Sequence, residues 1–143
     1  MTLTYYAIYD STTGEIRSYM SCDPSEIAAS TPSGCSYLAL TSLPDGEWYI
    51  DLTSTPTITA KPAFTGSWSS TSITADGVSS ASISSLPNPT TIQFDSFPGA
   101  IDAIPNHIET SGTFSFTTTY PGSYTVRVMA FPYTDFITTI TAT

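Results

Sequence analysis

Eleven prolines are spread through this chain, one every ten residues or so. Each proline lacks an amide donor and clashes with the preceding helical turn, so long helices are excluded. Between them lies a second constraint: Ser and Thr together make up about a third of the residues, far above ordinary usage. Thr is β-branched and fits a pleated surface. No window sustains apolar residues at i, i+3, i+4 and i+7 beyond a turn or two. The class that remains is mostly β.

The 143 residues leave room for one ordinary domain or two small ones. Aromatics at 13% and hydrophobics at 40% argue for a folded chain, since disordered chains lack apolar residues to bury. Twelve Asp and Glu stand against three Lys and Arg, a net charge of −9. Arg17, Lys61 and Arg127 are too few to track a phosphate backbone, so nucleic-acid binding is not expected. No apolar run reaches membrane-spanning length. The amino terminus, Met1-Thr2-Leu3-Thr4-Tyr5, shows neither the basic stretch nor the apolar core of a secretory signal. Synthesis and folding in a cytoplasm are therefore expected. There, Cys22 and Cys35 are expected as buried thiols, with a disulfide the alternative. Two cysteines and one histidine do not supply a structural zinc site.

Along the chain, Tyr5-Tyr6-Ala7-Ile8-Tyr9 and Glu15–Met20 flank Asp10-Ser11-Thr12-Thr13-Gly14, which predicts a hairpin with Gly14 left-handed. Asp23, Pro24 and Glu26 stand at the N-cap, first and third positions of a short helix over about 24–30. Pro32 and Gly34 end it. A second hairpin is expected between 35–40 and 47–52, across the turn Pro44-Asp45-Gly46. Pro56 and Pro62 keep residues 53–66 extended, as an edge or a link. The expected organisation is an α+β unit of two hairpins and one helix over 1–60, a linker over 61–66, and a β-sandwich over 67–143. In the second part, short strands are expected at 72–75, 80–86, 90–94, 107–109, 112–117, 122–130 and 135–141, with turns at the spacing of a sandwich. Tyr124, Val126 and Val128 alternate strictly with Thr125, Arg127 and Met129, so one set faces inward. The connection 97–106 is longer than a strand turn needs.

Parts of the chain resemble two known families. Ile73-Thr74-Ala75-Asp76-Gly77-Val78-Ser79-Ser80-Ala81-Ser82-Ile83 resembles the opening strands of bacterial immunoglobulin-like domains. Tyr120-Pro121-Gly122-Ser123-Tyr124-Thr125-Val126-Arg127-Val128 is similar to a late strand of the same domains. The amino-terminal phrase Tyr5–Asp10, Thr13–Ile16, with Trp48–Leu52 and Lys61–Phe64, is similar to small virion proteins of tailed bacteriophages. These resemblances imply an immunoglobulin-like sandwich and a structural virion protein that brings no active site. The implied partners are other virion proteins of the tail, baseplate, fibre or capsid, in a symmetric multi-copy assembly.

Chemistry is hard to find in the residues. His107 is the only histidine and lies beside Pro105-Asn106, where a surface role is expected. No Gly-x-Ser-x-Gly elbow, phosphate loop or His-Glu-x-x-His is present. Glu47 and Asp51 would stand about 13 Å apart along one strand, whereas glycosidase carboxylates need about 5–9 Å. Asp95 and Asp102 form the other acid pair. Asp45-Gly46 and Asp76-Gly77 read as turns, since calcium needs six or more clustered oxygens. No enzyme activity and no cofactor are expected. Trp48, Tyr49, Trp68, Phe131 and Tyr133 offer an aromatic platform for host-surface glycans. From Trp68 to Leu86 the only charge is Asp76, so strands there lack the charges that guard sheet edges. Docking onto a tail, baseplate or fibre site is expected through Tyr5, Tyr6, Tyr9, Trp48 and Tyr49, aromatic types favoured at hot spots; the competing expectation is that Tyr6, Ile8 and Trp48 build this unit's own core. The alternatives are a capsid decoration protein and a glycan-binding adhesin module.

Overall fold

The computed structural model describes residues 2–143. Among them are twelve strands and one helical turn, so the chain is mostly β, arranged in several sheets. It divides after Lys61 into two compact units, the second being Pro62–Thr143.

In the first unit, β1 (Thr4–Asp10) pairs antiparallel with β2 (Ile16–Cys22) across the expected turn. Gly14 has φ +80° there, and its amide donates to the Asp10 carbonyl at 2.8 Å. The other edge of β1 pairs with β3 (Cys35–Leu40), giving the order β2-β1-β3. The central strand is covered on both faces, which explains its unbroken apolar run Tyr6-Ala7-Ile8-Tyr9. On one face Tyr6 and Ile8 pack on Ile27 of α1 (Ile27–Ser30), flanked by Met20, Cys22 and Cys35. On the other, Ala7 and Tyr9 pack on Ile50 of β4 (Trp48–Asp51), joined by Leu38, Leu40 and Ile58.

The expected second hairpin is corrected. Residues 35–40 pair with β1, from Tyr5↔Leu40 to Asp10↔Cys35. β4 pairs instead with β5 (Thr57–Ala60), from Trp48↔Ala60 to Asp51↔Thr57. A strand buried on both faces needs a neighbour at each edge, and β3 supplies the second one for β1. The Pro44-Asp45-Gly46 turn therefore changes layer, carrying the chain from sheet to covering ribbon. The hairpin loop is Leu52–Pro56, where the Asp51 carboxylate accepts the Thr53 amide at 2.9 Å. Pro56 precedes β5 and removes no ladder donor.

The helix is shorter than expected. It begins at Ile27 without a side-chain cap. Asp23 spends its carboxylate on the Ser25 amide and hydroxyl, closing a turn before the helix. Cys22 and Cys35 lie opposite Thr4 and Asp10, the two ends of β1. Six strand residues separate those ends by about 20 Å, far beyond disulfide reach. Both are free thiols, and burial pushes the Cys22 thiol above its ordinary value.

The second unit has one core. β6 (Ser72–Ile73), β8 (Thr90–Ser96), β9 (His107–Glu109), β11 (Gly122–Met129) and β12 (Phe136–Ala142) form a sheet of order β6-β12-β11-β8-β9. Only the β6–β12 pair is parallel. Facing it, β7 (Ala81–Ser84) pairs with β10 (Thr113–Phe116), and Trp68 bridges to Ile83. Tyr124, Val126 and Val128 face inward as their alternation predicts, with Ile92, Phe94 and Ile140 beside them. Ala81, Ile83, Phe116 and Trp68 meet them from the facing sheet, consistent with a β-sandwich. The long 97–106 connection is not slack: Phe97, Ile101 and Ile104 pack on the same core. Residues 62–66, expected as a linker, pack onto this unit. The Pro62 carbonyl accepts the Thr134 amide at 3.0 Å, and the Phe64 ring lies 5.4 Å from that of Phe136.

Candidate docking surface

The five aromatics expected to dock do not form one patch. Tyr6 and Tyr9 are each 5% exposed. They stand three positions apart on a strand of period two, so they enter opposite cores. Burial on both faces of β1 turns these two from contact residues into structural ones. Tyr5 is exposed on the Ala7 side. Trp48 and Tyr49 are half-buried and alternate across the ribbon. Tyr19 and Tyr37, exposed aromatics on β2 and β3, escaped sequence reasoning because only the pairing shows which strand is central.

Trp48 borders a cleft. Its indole N–H donates to the Asp45 carbonyl, which fixes the ring at the end of the Pro44-Asp45-Gly46 turn. Gly46 has φ +89°, the conformation this turn requires. The ring walls a cleft of about 340 Å³ lined by Leu38, Ala39, Leu40, Pro44 and Ile58. Leu38 and Leu40 face the ribbon and Ala39 faces away. A cleft touching all three consecutive residues runs along the edge of β3. That edge, opposite the one used by β1, pairs with no strand among the described residues.

Asp45 and Glu47 flank Gly46 in the turn that leads into Trp48, and Lys61 joins them there, its amide donating to the Glu47 carbonyl at 2.9 Å. Asp45, Glu47 and Asp51 form no ion pair among the described residues. Arg17 is held elsewhere, 3.1 Å from Asp10 and 3.2 Å from Glu15. Asp10 in turn sits below the usual carboxylate range, chiefly through the amides of Thr12 and Thr13 and then through Arg17.

A second cleft, of about 390 Å³, lies in the other unit between the 101–106 segment and β10, walled by Phe94, Ile101, Ile104, Phe114, Phe116 and Tyr124. His107 borders it, its Nε2 2.9 Å from Glu109 Oε2. The other Glu109 oxygen accepts the Ser111 amide and hydroxyl, both at 2.6 Å. The Ser111 hydroxyl, followed by His107, pushes the Glu109 carboxyl down to about 2. In this array the carboxylate stands between hydroxyl and imidazole. A nucleophilic triad requires the imidazole in the middle, so Ser111 is not activated by this histidine.

The remaining sequence candidates separate. Asp95 is held by Arg127, with Oδ2 2.7 Å from Nη2, and by Gln93. Arg127 also reaches Asp135 at 3.0 Å. Trp68 is buried in the second unit's core, which removes it from an aromatic sugar platform. Its indole N–H has no hydrogen-bond partner among the described residues. Among the described residues no cluster of His, Cys, Asp and Glu could hold a metal ion, and no helix is long and apolar enough to cross a membrane. No protein family, curated protein or solved structure matches the chain.

Proposed function

We propose that this chain is a non-catalytic assembly protein of a tailed-phage particle, with its first unit docking and its second unit displayed. The observation that carries the reading is the Trp48 cleft, an apolar groove laid along a strand edge that pairs with no strand among the described residues. Such edges are templates for another chain, and soluble proteins usually block them with charge or proline. β3, Cys-Ser-Tyr-Leu-Ala-Leu, has neither. The setting comes from the resemblance of the amino-terminal phrase to small virion proteins.

We read the second unit as an immunoglobulin-like sandwich. Three features support this: the parallel β6–β12 pair, the β12-β11-β8-β9 order facing β7 and β10, and the Tyr124 hydroxyl donating to the Tyr120 carbonyl at 2.7 Å. A tyrosine turned back on its own upstream backbone is a corner device of such domains.

Mass spectrometry of purified particles from the virus that encodes the chain tests the proposal. The expected result is a fixed copy number per particle, located by imaging at the tail, baseplate or fibre attachment. Absence from the particle overturns the proposal. Labelling of capsid hexamers or pentamers replaces tail docking with decoration, and strong specific binding on a glycan array replaces both with adhesion.

A further inference from the structure

We infer that the Trp48 cleft receives an extended segment of another protein, which adds as a strand to the free edge of β3 and carries Lys or Arg at the end beside Asp45 and Glu47. The inference rests on the assembly reading above and names the chemistry of its partner. Three observations converge. First, β3 spends one edge on β1 and among the described residues leaves the other without a strand, so alternate amides and carbonyls point outward. An added strand satisfies them by the same ladder that built the sheet. Second, the cleft along that edge is apolar where β3 meets the ribbon, through Leu38, Leu40, Trp48 and Ile58. Strand side chains alternate, so every second residue of the incoming segment enters this cleft and must be apolar.

Third, the charge selects the partner. The turn holding Trp48 also presents Asp45 and Glu47, both exposed and without an ion pair among the described residues, against the one neighbouring cation Lys61, whose amide donates to the Glu47 carbonyl at 2.9 Å. Up to Lys61 the chain carries seven acids (Asp10, Glu15, Asp23, Glu26, Asp45, Glu47, Asp51) against Arg17 and Lys61, so 2 − 7 = −5. A second copy paired antiparallel through this edge would carry its own acidic turn to the Cys35 end of β3 and bring no cation to Asp45 and Glu47. A basic segment supplies there what a second copy does not.

The test uses the full chain and two labelled synthetic peptides that alternate Val and Thr, one ending in two Lys and the other in two Glu. Fluorescence anisotropy reads affinity and hydrogen exchange reads location. The Lys peptide is expected to bind at least about tenfold more tightly than the Glu peptide at low salt, with the gap closing as salt rises. New amide protection is expected on β3. The double variant Asp45→Asn, Glu47→Gln should erase the preference between peptides, and Trp48→Ala should weaken both. The double variant touches only exposed side chains, so it reads out even where Trp48→Ala unfolds the unit.

Equal affinity for the two peptides overturns the charge assignment, and protection away from β3 overturns the strand addition. Concentration-dependent dimerisation that protects β3 in the free chain identifies a second copy as the occupant and overturns the basic partner. A chain present in particles that binds neither peptide loses this partner while keeping its assembly role. A chain absent from particles that binds the Lys peptide through β3 does the reverse.

Discussion

The second unit gathers its apolar side chains into one core, whereas the first divides a smaller number between the two faces of a single strand. Among the described residues fourteen buried hydrophobics lie beyond Lys61 and six before it. A unit of about 60 residues buries a smaller share of its surface than a larger domain and is correspondingly marginal. The two units therefore differ in what holds them. The second rests on bulk burial between facing sheets. The first rests on a few close fits, each of which takes a large share of the total. Contact with a partner adds proportionally more to the first, which is why docking is assigned there.

The sharpest way to break this comparison is Gly14→Ala. A β-carbon at Gly14 would run into the Ile50 carbonyl, and φ of +80° strains any L side chain. The left-handed backbone alone costs about 1–2 kcal/mol. The collision also displaces the ribbon and threatens the Ile50 amide donating to the Gly14 carbonyl at 2.8 Å. A loss of several kcal/mol is expected, among the largest a single substitution gives. Two-dimensional NMR of the full chain should show resonances up to Lys61 collapse while those of the second unit stay. Collapse of both sets, or of neither, would end the view that the units hold themselves separately.

Next in size is a matched pair, Ile50→Ala and Ile92→Ala. Both side chains are fully buried, and each deletion costs about 2–5 kcal/mol. The same loss should abolish the first unit's folding transition and only shift the second's. The tryptophans report the units one each, Trp48 and Trp68. Denaturation followed by fluorescence in Trp48→Phe and Trp68→Phe backgrounds separates the two. Equal shifts would show that the small unit has stability to spare.

Legibility in sequence followed the same divide. In the second unit nearly every strand was visible, because a half-buried strand writes its burial as alternation: Tyr124, Val126 and Val128 could be placed before their partners were known. The first turn was legible from Gly14 for the same local reason. Pairing in the first unit was not. Tyr6-Ala7-Ile8-Tyr9 is apolar at every position, and such a run carries no face. It does not show that both edges of β1 are paired, so the sequence alone predicts a hairpin of 35–40 with 47–52 where β3 pairs with β1. The same run hides that Tyr6 and Tyr9 enter opposite cores. Trp48 stands out in the sequence as an aromatic beside a turn, but the cleft it borders depends on where the ribbon lies over β3, a long-range fact without a local signal.

A smaller effect tests the second unit's internal wiring. Tyr124 is fully buried, and its hydroxyl lies 2.8 Å from Thr118 Oγ1 while donating to the Tyr120 carbonyl. Tyr124→Phe keeps the ring and removes one bond from each partner, while the Thr118 hydroxyl still accepts the Tyr120 amide at 3.0 Å and reaches the Tyr120 carbonyl at 3.4 Å. The expected cost is about 1 kcal/mol, that of an ordinary hydrogen bond. It should appear only in the Trp68-reported transition. No change would mean that the corner is ornament and that burial alone closes the sandwich.

The smallest expected effect concerns acid. Glu109 is buried, and its carboxyl titrates near 2 rather than at the ordinary 4.5. The folded state thus binds this proton less readily than the unfolded chain, so the group contributes stability above about pH 4.5 and loses it as pH falls toward 2. Asp95, lowered by Arg127, and Asp76, lowered by the Ser79 and Val78 amides, add to the same slope in the same unit. Glu109→Gln should therefore reduce the acid sensitivity of the Trp68-reported transition without abolishing it. The first unit spreads its lowered carboxyls over Asp10, Asp23 and Asp51, each exchanging hydrogen bonds within its own turn. No single substitution there should flatten its acid response as much. If Glu109→Gln leaves the second unit's slope unchanged, that unit's acid response is as dispersed as the first's, and the contrast between one shared interior and several local fits fails at its electrostatic end.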